Sequence, residues 1–582
     1  MTATLDAVRG VDRPVQNSSD DRPARRGHRR GGRARPSWWT VVLGVLAVLV
    51  AAPVAAVVSS VLVPEREIWS HLWETRLPGM VVATVVLVST VTIGAAVLGT
   101  ALAWLVGVHR FRGRLLLVWL LAMPLAIPAY VSGFVVVDTF DRSGPVRSWW
   151  TQTAGAGGWY PEVRSLGFAA VVLTLALYPY VYLLALGAFR DQAGGVVDAA
   201  RMLGSSRIQA FLRVALPSAR PAIIAGSVLV ALEVLTDVGT VRLFNVQTLA
   251  DGVFRVWFGL GEREAATELA GLLLLAAAAI LFTERRAAGG VGGAGGGRSG
   301  AAAPAAAAQR ADDGRRVSAE SGGAGMRVGI AAALVVVGAA LLFPVLRLVL
   351  WTLEASSQGR TASAAGGVGH HLWSSMRVTA VTMVVCVVAG VVVALAGRWV
   401  HGRRHRTLAT VTTLGYGLPG PVIALGVLVC LAAIDRSGVL PRGTLLVGSF
   451  AGLVVALVVR YLALAVKPAQ QSMARVSSSA EDAARGLGAA PARVVGRIQL
   501  PLARQGLLVA AALVALDVTK ELPATLLLRP FGIDTLPVWV WQASSDSRWA
   551  EAGLPALVLT VMAAVPTMVL VSLMLRGRSI DW

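Results

Sequence analysis

The chain has 582 residues, 55% of them hydrophobic and only 15% charged, with a mean hydropathy of +0.67. At roughly 100–200 residues per domain this length suggests several soluble domains, but so few charges could not cover their surfaces. The net charge is +21, with 51 of the 53 basic residues Arg. These lie mostly in short loops between apolar stretches, so membrane topology accounts for them and no nucleic acid is expected.

Residues 1–37 hold nine Arg and four Asp without apolar periodicity, which reads as a disordered cytoplasmic tail. The following apolar run is too long for a secretory signal core. Gly31-Gly32 after Arg29-Arg30 argues against a twin-arginine signal. Twelve runs approach the ~20 residues that cross a bilayer. They cover about 38–63, 79–108, 115–138, 165–189, 219–241 and 265–283, then about 327–353, 374–397, 407–434, 443–466, 503–525 and 552–575. The fold class expected is therefore an all-α polytopic membrane protein.

Odd-numbered connections mix acids with bases, as in Pro64-Glu65-Arg66-Glu67. Even-numbered ones are rich in Arg, as at 109–114, 190–218, 398–406 and 467–502. Basic loops stay in the cytoplasm, so both termini are expected inside. A Gly/Ala-rich linker, 284–326, separates a first half (38–283) from a second (327–582). Its GGVGGAGGG run follows no soluble strand and is no dinucleotide fingerprint. Cys386 and Cys430 lie in apolar runs and imply no disulfide.

A shift of 284 residues overlays the chain on itself. Residues 198–220 and 482–504 share 11 of 23 positions. Both copies are cytoplasmic, so the halves share one orientation and a pseudo-twofold axis along the membrane normal. In each copy an acid, Asp198 or Asp482, is expected to start a short helix. Ala199-Ala200 and Ala483-Ala484 leave room for a close backbone. Gly204 and Gly488 suit a helix-ending turn. Pro217 and Pro501 are expected to end a second short helix. Two like loops suit a partner with two equivalent sockets; the alternative is a loop packed on its own span ends.

The pattern acid-Ala-Ala, three residues, Gly, nine residues, an aliphatic, one residue, Pro resembles the EAA loop of ABC importer permeases. It occurs at Asp198-Ala199-Ala200…Gly204…Val214…Leu216-Pro217 and at Asp482-Ala483-Ala484…Gly488…Ile498…Leu500-Pro501, with Asp in place of Glu. Four further stretches, 121–134, 237–248, 415–426 and 520–536, resemble fused permeases of the ferric iron importer family, over nearly the whole chain. The resemblance implies the type I permease fold, two six-helix halves and no catalytic residues. It also implies two copies of a cytoplasmic ATPase carrying ATP and magnesium, gripping the two loops, and an extracytoplasmic binding protein that delivers iron. Similar permeases carry thiamine, phosphonates, polyamines or other small solutes.

Spans five and eleven carry ionisable residues at membrane depth: Glu233 and Asp237, then Asp517, Lys520 and Glu521. Such groups are costly in lipid and should face protein or water. Each acid pair is four residues apart, on one helical face if the helix continues. Glu233 lies about 20 Å along its helix, towards the outer side. The arrangement suits a carboxylate-lined path for a hard cation, to which Tyr130 and Tyr416 could add phenolate oxygen. A structural ion-pair network between the halves is the alternative reading.

Pro124, Pro128, Pro419 and Pro421 interrupt spans three and nine at corresponding places, as hinges or as static kinks. His370-His371 and the pair His401 and His405 lack enough companions to bind metal and read as solvated loop residues. Trp149, Trp150, Trp159 and Tyr160 read as an interfacial aromatic belt. Neither Lys467 nor Lys520 follows the glycines of a Walker A box, so the energy source is expected in trans. A gradient-driven secondary transporter is the rival class; it leaves the doubled loop without a role.

Overall fold

The computed structural model describes residues 38–62, 73–109, 111–155, 158–192, 200, 202–292, 324–357, 361–399, 402–441 and 443–576. The 1–37 tail, most of the linker, Pro64 to Glu67, Asp198, Ala199 and His401 lie outside them, as does the side chain of Tyr416.

All regular structure among the described residues is helical. In lipid the backbone must satisfy its own polar groups, and a helix does so within one segment. The first half comprises α1 (Trp38–Leu62), α2 (Leu77–Val108), α3 (Arg114–Ala122), α4 (Ala129–Phe140), α5 (Pro145–Ala154), α6 (Leu166–Gln192), α7 (Leu216–Thr236), α8 (Gly239–Leu243), α9 (Leu249–Arg255) and α10 (Arg263–Gly292). The second comprises α11 (Ala324–Val337), α12 (Phe343–Ser357), α13 (Thr361–Trp399), α14 (Arg403–Val411), α15 (Gly420–Arg436), α16 (Phe450–Ala474), α17 (Ser478–Gly486), α18 (Leu500–Lys520), α19 (Pro523–Leu528), α20 (Leu536–Ser545) and α21 (Trp549–Arg576). Ten helices are long and apolar enough to cross a membrane, or eleven if the pair at the span-three break, bent by 88°, counts as one. The run expected at 407–434 is divided into α14, a 3-10 turn at Leu414–Gly417 and α15.

Two expected boundaries move. Helix α10 continues through Gly292, into the stretch expected as linker. Adding residues to an existing helix is far cheaper than nucleating one, and Ala287 and Ala288 favour continuation. The second short helix of each repeated loop does not end at its proline. It passes through a π-turn, Phe211–Ala215 or Val495–Gln499, directly into α7 or α18. Proline lacks an N–H and its ring crowds the preceding turn, and the wider π-turn relieves both. Gly338–Leu342 does the same ahead of Pro344. The two π-turns, α7 and α18 all keep the 284-residue offset, so the repeat is structural as well as sequential.

The first helices reach across between halves. α1 packs on α14 and α15 of the second half, as well as on α10. α12 packs on α21 and also on α4. There Arg347 pairs with Asp138, and Trp351 Nε1 donates to Asp138 Oδ2 at 3.1 Å. Both charged side chains are mostly covered, at 18% and 16% exposure. Asp138→Asn should cost about 1.5–3 kcal/mol, because Arg347 keeps its charge without its counter-ion. The check is the thermal unfolding midpoint of the detergent-solubilised protein, which should fall.

Candidate functional site: a charged cavity between the halves

α7 and α18 each stop at the same repeat position, Thr236 and Lys520, where the backbone turns extended. The next residues, Asp237 and Glu521, cap the short helices that follow. Asp237 Oδ1 accepts from the Thr240 and Val241 N–H groups at 2.9 and 3.0 Å, and its Oδ2 accepts from Thr240 Oγ1 at 2.8 Å. Glu521 Oε1 accepts from the Ala524 N–H at 2.8 Å. A carboxylate here satisfies unpaired N–H groups and meets the positive end of the helix dipole. Asp237 and Glu521 therefore do not share a helical face with Glu233 and Asp517, as the four-residue spacing suggested; the helix has ended before them.

Around these ends the halves enclose a cavity of about 90 Å³. Glu233, Asp237 and Tyr130 of the first half line it, with Asp517, Lys520 and Glu521 of the second. The structure thus brings together six of the seven residues expected on a path; the seventh is Tyr416. It adds three that sequence reasoning missed: Tyr180 on α6, and Arg460 and Tyr461 on α16. A signal existed, since Arg460 is a lone charge within the apolar run 443–466.

The polar groups have unequal partners. Arg460 pairs with Glu521 at 2.8 Å, and Tyr461 OH donates to the same carboxylate at 2.5 Å. Lys520 Nζ lies 3.7 Å from Asp517 Oδ1, to which Tyr180 OH donates at 3.3 Å. The Glu233 side chain makes no hydrogen bond or ion pair among the described residues. The buried Tyr130 hydroxyl has no hydrogen-bond partner. Four carboxylates against two cations leave a formal excess of two negative charges. Among the described residues no three His, Cys, Asp or Glu side chains converge to hold a metal ion. Arg460 and Lys520 stand among the carboxylates instead.

One of the two proline breaks lines this cavity, and the other lies against Arg460. Pro128 and Pro419 occupy the position before α4 and α15, after 3-10 turns at Met123–Ala126 and Leu414–Gly417. Pro124 lies within the first turn, and Pro421 opens α15. A broken helix leaves carbonyls that need new donors. Lys520 Nζ donates to one of them, Leu125 O, at 3.3 Å across the half-to-half boundary. Leu125, Ile127 and Pro128 are themselves cavity wall.

At the opposite end of α18 lies the second repeated loop. Its helix α17 carries Glu481, not Asp482, in the first turn. Glu481 is buried, pairs with Arg398 Nε at 2.7 Å and accepts from Gln499 Nε2 at 2.7 Å. Asp482 instead presents a side chain that is 71% exposed. This corrects the helix-starting role expected for Asp482: the neighbouring Glu481 anchors the loop, leaving Asp482, Ala483 and the adjoining turn outermost. Glu481→Gln should shift the unfolding midpoint down by the equivalent of about 1.5–3 kcal/mol, the worth of hydrogen bonds to a charged group. Differential scanning of the solubilised protein checks it.

Gly204 and Gly488 have φ of +87° and +82°, as helix-ending turns require. Each follows a leucine at the same repeat position. Leu203 and Leu487 are 87% and 89% exposed. Met202, beside the first of them, is 86% exposed. Ala200 and Ala484 are half-buried beneath them.

The histidines are partnered locally. His370 Nε2 lies 3.2 Å from Gly532 O, and His371 stacks on Trp539 at 4.5 Å. His405 Nε2 is 2.8 Å from Thr40 Oγ1, so it bridges α14 to α1 and is not merely solvated. Tyr160 OH donates to Phe140 O at 2.8 Å, while Trp159 is 81% exposed.

Residues 95–283 match the family described as binding-protein-dependent transport system inner membrane component. Over 92% of its length the chain is 26% identical to an Fe(3+)-transport system permease protein, FbpB 2, of Haemophilus influenzae, covering 98% of that relative. It is 31% identical over 154 residues to the sulfate transport system permease protein CysW of Escherichia coli, covering 26% of this chain and 50% of the relative. It is 29% identical over 156 residues to a probable molybdenum ABC transporter permease protein of Haloferax volcanii, covering 27% of this chain and 55% of the relative.

Proposed function

We propose that this chain, the multi-pass permease subunit of an ATP-binding cassette importer, moves ferric iron through the cavity between its halves. The observation that carries the choice of cargo is the charge count at the cavity: four carboxylates against two cations. Ferric iron is a hard cation that prefers carboxylate and phenolate oxygen. Glu233, free of hydrogen bonds and ion pairs, and the unpartnered Tyr130 hydroxyl supply such oxygens. The iron-transport name of the Haemophilus relative, matched almost end to end, supports the same reading.

The halves are 38–283 and 327–582, with 284–326 between them, and both termini lie in the cytoplasm. Two copies of a separate ATPase grip the loops around Leu203 and Leu487. ATP and magnesium bind on that ATPase, and this chain has no nucleotide site. An extracytoplasmic binding protein delivers iron to the opposite face. Closure of the ATPase pair pushes the two repeated loops, and the π-turns pass that displacement into α7 and α18, whose far ends carry the charged cavity. The proline breaks beside it are where the walls yield.

The sulfate and molybdenum names of shorter-matching relatives define the competing cargo, an oxyanion. Reconstitution with the cognate ATPase and binding protein decides between them. Proteoliposomes given ATP should accumulate radioactive ferric iron, and sulfate or molybdate should neither enter nor compete. Accumulation of an oxyanion in place of iron overturns the reading. Accumulation without the ATPase points to a secondary transporter.

A further inference from the structure

Arg460 stands where a transported cation would have to bind. Its guanidinium is 2.8 Å from Glu521, and its side chain is 9% exposed, on the cavity wall shared with Glu233 and Asp517. The same guanidinium nitrogen also rests on the broken span. A Cβ placed on Gly420 would lie 2.0 Å from Arg460 NH1, so the gap between Pro419 and Pro421 admits this group only because residue 420 has no side chain. At Glu521 the guanidinium shares its carboxylate with Tyr461 and with the α19 cap. Lys520 occupies the other side, between Asp517 and the freed carbonyl of Leu125. With both in place, no three of the described carboxylates are grouped so as to hold a metal ion.

Resting on the cation-cargo reading above, we propose that Arg460 is a resident counter-ion that occupies the cation site of the cavity in this conformation and competes with the cargo for its carboxylates. It keeps an empty permease from holding stray cations, and by competing for the same carboxylates it favours release of the cargo. The repeat offset places Ala176 opposite Arg460, so only one half supplies the device.

Terbium(III), a hard trivalent ion whose luminescence tyrosine sensitises, reports occupancy of this site directly. Tyr130, Tyr180 and Tyr461 all line the cavity. Full-length purified permease is titrated with terbium chloride, and the signal of the Glu233→Gln, Asp517→Asn variant is subtracted as surface background. Arg460→Gln should raise cavity affinity by about tenfold or more, since a positive charge a few ångströms from the ion is removed from a poorly screened site. Adding Glu521→Gln should cancel the gain. Arg460→Lys, which keeps the charge, should bind as the parent does. Arg460→Met replaces Arg460→Gln if the latter elutes as aggregate.

An unchanged affinity in Arg460→Gln, or an equal gain in Arg460→Lys, overturns the proposal and makes Arg460 a packing brace. Iron uptake by the unmodified importer would then leave the cargo reading standing. If the cavity takes no terbium in any variant and the importer accumulates an oxyanion, both the proposal and the cargo reading fall.

Discussion

Iron uptake by the Glu233→Gln, Asp517→Asn permease is expected to fall on the order of a hundredfold, with the complex still assembled. The size follows from electrostatics: each carboxylate within a few ångströms of a trivalent ion contributes at least a decade of binding in a partly desolvated site. Assembly is spared because Glu233 makes no hydrogen bond or ion pair among the described residues, and an amide oxygen at position 517 can still accept from Tyr180 OH, so neither acid is the one that holds the helix ends. That role belongs to Asp237 and Glu521, whose oxygens cap α8 and α19. The amides are nearly isosteric and remove charge without opening a void. Radioactive iron accumulation in proteoliposomes, alongside size-exclusion of the permease–ATPase complex, checks both halves of the expectation. Normal uptake by the double variant would place the path elsewhere. Asp237→Ala should in addition lose about 1 kcal/mol of stability with its cap.

The second large effect is expected at the other end of the same helices. Leu203→Glu with Leu487→Glu should abolish capture of the ATPase. Burying one leucine at an interface is worth about 1.5–3 kcal/mol, so losing two weakens association by a hundredfold or more. Introducing charge into an apolar socket adds a desolvation cost. Because the leucines are repeat equivalents, each single variant should lose part of the capture and ATP-driven uptake together. Isothermal titration of detergent-solubilised permease with purified ATPase measures it. The substitutions should leave the permease itself as stable as before, since both side chains are already in water. Undiminished capture by the double variant would remove these loops from the ATPase interface.

Much of the architecture was legible because the bilayer imposes a simple rule. A span must be long, apolar and helical, so 582 residues resolved into runs that the structure largely reproduces. The 284-residue repeat was legible because the two loops keep the same acid, alanines, glycine and proline. Helix termination was less legible. Pro217 and Pro501 looked like stops, yet a π-turn absorbs each, because a helix can widen locally at lower cost than it can end in an apolar setting. Conversely, Asp237 and Glu521 looked like members of a continuing helical face, and they are caps. In the second repeated loop the sequence pattern favoured Asp482, while burial singles out Glu481, paired with Arg398 some eighty residues earlier in the chain.

The sequence by itself determined the class of protein, the helical spans, the repeat and the intramembrane acids, all of which depend on composition and spacing along the chain. Tertiary structure alone decided which acids cap helices and which face the cavity, and that Arg460 and Lys520 stand among them. It also decided that the break at Pro128 forms part of that cavity's wall, while the break at Pro419 lies behind Arg460. The reason is that a buried charge takes its meaning from its partners, and here those partners come from the other half of the chain or from distant helices.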